Sequence, residues 1–232
     1  FIRLGIFGDW DNSYSSMDKD VEAGIVGSLS QIIKNKHIYF GSKPVHWCIE
    51  SSSALAEAEV EYKDVTSKAV CVNFEITNLD KSIFKGLKND LKVNIPIWTT
   101  TPWTLPANRA VAIGGDIEYS LVYIGKSYLI IAKNLVDSVM EKSEIKKYSI
   151  EGSIDNTALS SLELRHPFYN ITVPLITANH VTDENGTGAV HIAPGHGTDD
   201  YLAGLKYNLE VYNPVDDYGK FVDELPIFGG MK

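Results

Sequence analysis

A mainly β chain with flanking helices, its sheet twisted in the manner of a barrel and preceded by a partly helical connecting segment, is the fold class the sequence predicts. Three observations carry it. From about Ala69 onward, short apolar runs alternate with Gly, Asn, Asp and Pro, the texture of a β-rich domain. The regular strand-helix alternation of a parallel α/β fold is weak, which favours a twisted, barrel-like sheet. At 232 residues and 44% hydrophobic content, the chain can bury the core of one large domain, or of a domain plus a connecting segment.

The elements follow in chain order. Between Asp18 and Lys34, Val21, Ile25, Leu29, Ile32 and Ile33 recur at helical spacing, with Asp18 placed to cap and Asp20 and Glu22 in the first turn. Ser53 to Glu59 is rich in Ala, Leu and Glu and predicts a second helix. These assignments divide the chain into a connecting segment, 1–68, and a β domain, 69–232. Expected strands are Ala69 to Ile76, Ile95 to Thr101, Ala110 to Ile113, Tyr119 to Ile124, Ser127 to Ala132, Lys147 to Glu151, Val173 to Ile176 and Gly188 to Ile192. Helical stretches interrupt them at Leu135 to Lys142 and Asp199 to Tyr207.

Composition narrows the function classes. No apolar run approaches the roughly 18 residues of a membrane span, and no basic-then-apolar leader opens the chain. Cys48 and Cys71 lack CxxC partners, so neither a disulfide framework nor a zinc ribbon is expected, and a cytoplasmic setting is. A formal charge of −9 argues against broad phosphate neutralisation along a nucleic acid but leaves contact with a short end open. The absence of an initiator Met suggests a piece of something longer.

Two stretches could carry chemistry. In IWTTTPWTLPAN, Ile97 to Asn108, a strand would put Thr99 and Thr101 on one face and Trp98 and Thr100 on the other. Pro102 and Pro106 cannot donate to a ladder, so the strand should end near Thr101. Thr is also an ordinary strand former and Trp an ordinary core residue. In GTGAVHIAPGHGTDDY, Gly186 to Tyr201, a strand, a Pro-Gly turn and a helix capped by Thr198 are expected, with Asp199 and Asp200 in the first helical turn. Carboxylates there gain roughly 0.3–1 kcal/mol each from the helix dipole, a sufficient bland account.

Functional readings of the second stretch compete. A metal site could use His191, His196 and Asp200, although His-x4-His across a proline turn matches no standard spacing. A phosphate cradle lacks the P-loop lysine. A small-molecule pocket would use Asp200 as the hook for a cationic group and His191 as a wall.

Resemblance orders these alternatives. Ile97 to Ile113 and Gly186 to Tyr201 resemble the two signature stretches of the inserted CP1 editing domain in isoleucyl-tRNA synthetases, class I aminoacyl-tRNA synthetases. KPVHWCIESSSALAEAEVEYKD, Lys43 to Asp64, resembles the segment leading into that insertion. The match runs through most of the chain in the family's order. Valyl and leucyl relatives follow their threonines with Arg-Pro and an acidic residue, where this chain has Pro102-Trp103, and they lack His at the place of His191. The family often shows a second cysteine three residues beyond the position of Cys48; Ser51 stands there, against a zinc role for this segment. Neither HIGH nor KMSKS occurs, so amino-acid activation is not expected of these residues.

The resemblance implies a hydrolase that removes valine from mischarged tRNA(Ile), with valyl-adenylate left open as a second substrate. Asp200 would take the substrate α-ammonium, and His191 would be the wall that excludes isoleucine. Thr99, Thr100 and Thr101 would hold the terminal ribose and the attacking water, while Trp98, Trp103 and Asn108 would help bind the aminoacyl end. Partners would be the 3′ end of tRNA(Ile) carrying valine and the remainder of the synthetase, with no membrane. Editing would need no cofactor or metal; ATP, and any zinc, would belong to the full-length enzyme. The rivals are a metal-dependent hydrolase and a non-catalytic tRNA-docking module.

Overall fold

The computed structural model describes residues 1–79, 84, 87, 91–154, 156–159 and 161–232. It divides into two compact units, Phe1–Ser42 and Lys43–Lys232. In the first, helix α1 spans Lys19–Lys34 as the periodicity predicts. Asp18 occupies the cap position, but its side chain makes no capping hydrogen bond; only its carbonyl is used, accepting the Glu22 N–H. The stripe of Ile25, Leu29, Ile32 and Ile33 is exposed.

The division at 42/43 differs from the compositional change at 68/69, because residues 43–68 carry contacts of the second unit. There β1 (His46–Cys48) pairs antiparallel with β2 (Ser53–Leu55). Trp47 Nε1 donates to the Asp217 carbonyl at 2.9 Å. The helix expected over Ser53 to Glu59 is therefore not formed: the first three residues are a hairpin strand and Glu57–Glu59 is a single 3-10 turn. Cross-strand pairing overrides the helical propensity of Ala and Glu, which is only tenths of a kcal/mol per residue.

The body of the second unit is a nine-stranded mixed sheet in the order β11-β5-β10-β9-β3-β4-β7-β6-β8. Its strands are β3 (Val70–Ile76), β4 (Val93–Thr99), β5 (Ala110–Ile113), β6 (Tyr119–Tyr123), β7 (Tyr128–Ala132), β8 (Ser149–Ile154), β9 (Glu163–Arg165), β10 (Thr172–Thr177) and β11 (Ala189–Ile192). Short helices α2 (Val136–Lys142) and α3 (Asn156–Leu159) and the longer α4 (Thr198–Tyr207) complete it. Most pairs are antiparallel, but β4–β7 and β5–β10 are parallel.

The sheet is not a closed barrel, since among the described residues β11 and β8 are the two edges of the order. It coils far enough for the chain just before the β11 edge to reach β7 and β6. The Ala132 N–H at the end of β7 donates to the Thr187 carbonyl just before β11. Tyr119 on β6 accepts the Gly114 N–H on its hydroxyl and donates that hydroxyl to the Gly188 carbonyl. Burial pushes the Tyr119 phenol up to about 12, so it remains a donor at any physiological pH.

Two cores result. The larger gathers Phe74, Ile95, Ile97, Tyr119, Tyr128, Ile130, Ile131, Leu164 and Leu175 inside the coiled sheet. The smaller lies on the opposite face, where Ala110, Ala112, Ile176 and Ile192 meet Ala203 of α4. Strand β5 is thus buried on both faces: Val111 and Ile113 enter one core, Ala110 and Ala112 the other. This second core fixes α4 against the sheet. A methyl on Gly204 would meet Pro194 Cβ at 2.9 Å, so the helix lies close over the Pro194 turn.

Gly188 adopts φ +78°, and a Cβ there would lie 2.3 Å from Ala132 Cβ. Gly188→Ala is therefore expected to destabilise the protein by roughly 2–4 kcal/mol, from left-handed backbone strain and overpacking together. A urea midpoint unchanged from the parent would show that the loop does not depend on that approach.

Candidate active site

Strand β4 ends at Thr99, two residues earlier than alternation suggests, because the chain turns into a 3-10 segment over Pro102–Ala107. Pro102 suits that start: its fixed φ is already helical and its missing N–H would have had no partner. Thr99 Oγ1 accepts the Thr101 N–H at 3.1 Å and lies 3.2 Å from Thr101 Oγ1. The two hydroxyls thus do share a surface, but it is formed by a turn rather than by continued strand.

Across from them, β11 delivers His191, and the Pro194-Gly195 turn leads into α4. Gly197, not Thr198, is the cap residue of that helix; Thr198 is its first helical residue, so the expected Thr198 cap is not formed. Asp199 and Asp200 do lie in the first turn. Asp200 Oδ2 accepts the Ala193 N–H at 2.8 Å, reaching back across the turn.

These elements enclose a hollow of about 400 Å³. Trp98, Thr99, Thr100, Thr101, His191 and Asp200 all line it, with residues 185–190, the loop before β11 and the start of that strand, forming one side. Two expected residues do not. Asn108 is fully buried, capping the 3-10 segment and donating its Nδ2 to the Ala110 carbonyl. Trp103 is 51% exposed and sets its ring edge against His196, centroids 5.2 Å apart. Both belong to the 3-10 segment and its end, which leave Trp103 at the surface and Asn108 in the interior.

Two residues the sequence did not single out line the site, His180 and Thr104, and a third, His166, braces the segment that carries Thr104. His180, from the loop after β10, lines the hollow. Thr104 also lines it, donating its hydroxyl to the Thr101 carbonyl at 2.8 Å while standing 2.9 Å from His191 Nε2. His166, buried, lies 3.1 Å from the Leu105 carbonyl through Nε2 and accepts the Tyr169 N–H on Nδ1. It must therefore donate from Nε2, which pins the 3-10 segment from below.

The same accounting assigns His191. A hydroxyl has one hydrogen, and that of Thr104 is committed to Thr101, so His191 Nε2 carries the proton and donates. Nδ1 is left bare, buried and without a hydrogen-bond partner. Burial, with lesser contributions from His196 and His166, lowers the His191 pKa to about 4. Burial likewise lowers His196. At Asp200, burial raises the pKa, while the Ala193 N–H and His180 act against it. The site thus sets two neutral imidazoles, His191 and His196, beside one carboxylate.

His191, His196 and Asp200 share the hollow, but among the described residues no three His, Cys, Asp or Glu side chains come together as a metal site. Nor is any described helix long and apolar enough to cross a membrane.

Comparison with known proteins adds the family. Isoleucine–tRNA ligases of Vesicomyosocius okutanii and Shewanella woodyi are 49% identical over 231 residues and 50% identical over 239 residues, each aligning with 100% of this chain. The chain spans only about a quarter of their length, 24% and 25%. Among solved structures, the editing domain of the P. knowlesi cytosolic leucyl-tRNA synthetase superposes with a TM-score of 0.53 at 12% identity, over 69% of this chain and 77% of that one. The structure of GlLeuRS-CP1 gives 0.52 at 16%, over 62% and 66%. At such identities the likeness is one of fold. The family model described as tRNA synthetases class I (I, L, M and V) matches residues 1–165, more than half of the sequence, and the chain belongs to that family.

Proposed function

We propose that this chain is the proofreading part of an isoleucine–tRNA ligase and hydrolyses the ester of valyl-tRNA(Ile). One observation supports it above all: the threonine-rich strand end and the His-Gly-Thr-Asp-Asp turn, far apart in sequence, line one hollow. In this reading the partners are the 3′ end of the tRNA and the rest of the synthetase, and the setting is cytoplasmic.

Isoleucine and valine differ by one methylene, worth only about 1–3 kcal/mol in a hydrophobic pocket, a limit for which isoleucyl-tRNA synthetase is itself the standard example. A second pocket that admits valine and rejects isoleucine removes the remaining errors. Here His191, held by Thr104, would be the rejecting wall. Its ring is pinned by a hydrogen bond to a residue that is itself pinned, so it cannot swing aside to accept the longer side chain.

Asp200 would take the α-ammonium. Its Oδ2 is occupied by the Ala193 N–H, leaving Oδ1 for the ligand. A carboxylate whose charge burial disfavours gains strongly when a cation joins it, because that cation replaces lost hydration. Thr99, Thr100 and Thr101 would bind the ribose and place the water. The water oxygen adds to the ester carbonyl carbon, the tetrahedral adduct collapses, and the ribose oxygen leaves with a proton, giving free valine and uncharged tRNA. Positioning and fixed dipoles would supply the acceleration, with no cofactor required.

Asp200→Asn keeps an oxygen acceptor for Ala193 and removes the charge. It is expected to lower kcat/KM for valyl-tRNA(Ile) deacylation by at least about 30-fold, the lower end of the roughly 2–5 kcal/mol for breaking a desolvated charge pair, with an unchanged circular dichroism spectrum. Full activity in that variant would remove Asp200 from the reaction. His191→Ala should make isoleucyl-tRNA(Ile) a substrate and cut the discrimination by roughly 10- to 200-fold. If the isoleucyl ester stays resistant, the wall lies elsewhere. Nitrogen-15 NMR of His191 should show the neutral Nε2–H form through the whole range above about pH 4. Its folded pKa lies below the ordinary 6.5, so this group's contribution to stability is complete above about 6.5 and is lost as pH falls toward about 4. Titration of that ring near 6.5 in the folded protein would contradict the buried, singly protonated wall.

A further inference from the structure

Two buried imidazoles hold consecutive residues of the 3-10 segment: His191 of β11 bonds Thr104, and His166 of the β9–β10 hairpin bonds the Leu105 carbonyl at 3.1 Å. The segment needs holding from outside. Pro102 and Pro106 supply no N–H, so two of its six residues can give nothing to a ladder. Its own backbone bonds, Thr104 N–H on the Thr101 carbonyl and Asn108 N–H on the Leu105 carbonyl, are of the 3-10 kind, whose geometry is poorer than that of an α-helix.

His166 is itself fixed. Its backbone N–H donates to the Ile171 carbonyl at 3.0 Å and closes the hairpin loop between β9 and β10. Its ring is 2% exposed, stacked on Tyr169 with centroids 4.8 Å apart, and set edge-on to Phe168 at 4.5 Å and to Phe74 at 6.1 Å. Nδ1 accepts the Tyr169 N–H at 3.1 Å, so the proton on Nε2 points to Leu105. Burial lowers the pKa of the ring and keeps Nδ1 free to accept; the Leu105 bond acts against burial, and Arg109 acts with it. Tyr169 is tied in turn by its hydroxyl to the Pro226 carbonyl at 3.1 Å. A ring held in this way gives the Leu105 carbonyl one position, and Thr104, one peptide away, inherits it.

We propose that His166 is a positioning residue for the choice between valyl and isoleucyl esters: through Leu105 it fixes Thr104, and through Thr104 it fixes the ring of His191. The proposal rests on the reading of His191 as the rejecting wall. His166 meets no substrate itself, for it lies outside the lining of the hollow. The groups assigned to the ester and to the ammonium are held separately, Thr99 by the Thr101 N–H and Asp200 by the Ala193 N–H. Loss of the His166 bond therefore widens the choice of amino acid more than it slows the valyl ester.

The test uses the full-length chain, labelled with nitrogen-15 at histidine, and two amide side chains in place of the imidazole. His166→Gln carries an N–H as many bonds from the backbone as Nε2 and keeps the bond to Leu105. His166→Asn keeps an acceptor for Tyr169 but is too short to reach Leu105. In His166→Asn the preference for the valyl over the isoleucyl ester should fall by about tenfold, the lower end of the range for one methylene. The KM for valyl-tRNA(Ile) should not change, and an Nδ1–H form of His191 should appear in the spectrum. His166→Gln should keep the parent preference and the Nε2–H form. Should His166→Asn fail to fold, His166→Leu, which fills the space of the ring, takes its place in the comparison. A merely structural loss would touch both variants alike, so equal preferences and equal His191 spectra in the two would overturn the proposal. Preference that is lost in His191→Ala but kept in a folded His166→Asn refutes this proposal alone. Preference that is kept in His191→Ala refutes the wall, and this proposal falls with it.

Discussion

The approach of Gly188 to Ala132 is the constraint on which the site depends. A coiled sheet that does not close leaves β11 at one edge, and the strand carrying the threonines is five places away in the order. Pairing along the sheet cannot bring them together. Contacts outside the ladder do so: the Ala132 N–H on the Thr187 carbonyl, the Tyr119 hydroxyl on the Gly188 carbonyl, and a backbone approach that leaves no room for a Cβ. They stand in for the interstrand bonds that would close a barrel. The edge strand gains a neighbour across the hollow instead of one beside it. That arrangement leaves an opening, which a fully closed sheet would have filled with side chains.

Electrostatics then divides the hollow. On the β11 side, His191 and His196 are neutral because burial penalises the imidazolium. On the α4 side, Asp200 is held by a backbone N–H at a helix start, where a carboxylate is favoured even though burial opposes its charge. A cation entering the hollow therefore meets one attractive group and no repelling one among the buried residues that line it. The hydrogen bond from His191 to Thr104, continued to the Thr101 carbonyl, ties the wall to the threonine turn. Ring orientation and hydroxyl placement are thus coupled, and a change at one end is felt at the other.

Much of this was legible in the sequence, and the exceptions share a cause. Strand alternation located most of the sheet because a half-buried or core strand must keep its apolar side chains on the buried face. Residues 163–165 were missed because three residues give no periodicity to read. Ser53 to Glu59 misled because propensity is a local quantity and the hairpin partner, His46 to Cys48, is not local. In the site, Thr99, Thr100, Thr101, Trp98, His191 and Asp200 converge as the resemblance implies. Trp103 and Asn108 do not, since a motif gives proximity along the chain but not the direction a 3-10 turn presents. Thr104 left a readable signal: it stands three residues after Thr101, the hydrogen-bonding interval of that turn. His180 left none, for it arrives from a distant loop.

The same geometry bears on how an ester could be cleaved here. A threonine nucleophile needs a base placed to take its proton. Among the described residues, one imidazole touches a threonine hydroxyl, His191 at Thr104, and there the imidazole donates while the hydroxyl donates onward to Thr101. The proton flow is opposite to that of a base. With a pKa of about 4, the ring would in any case be a feeble acceptor at neutral pH. Thr99 and Thr101 bond to each other and to backbone, and neither meets an imidazole or a carboxylate within hydrogen-bond reach. An acyl-enzyme on any of these hydroxyls would lack the group that makes it, whereas a water held between them requires only acceptors and donors of fixed position, which the turn at Thr99 to Thr104 provides.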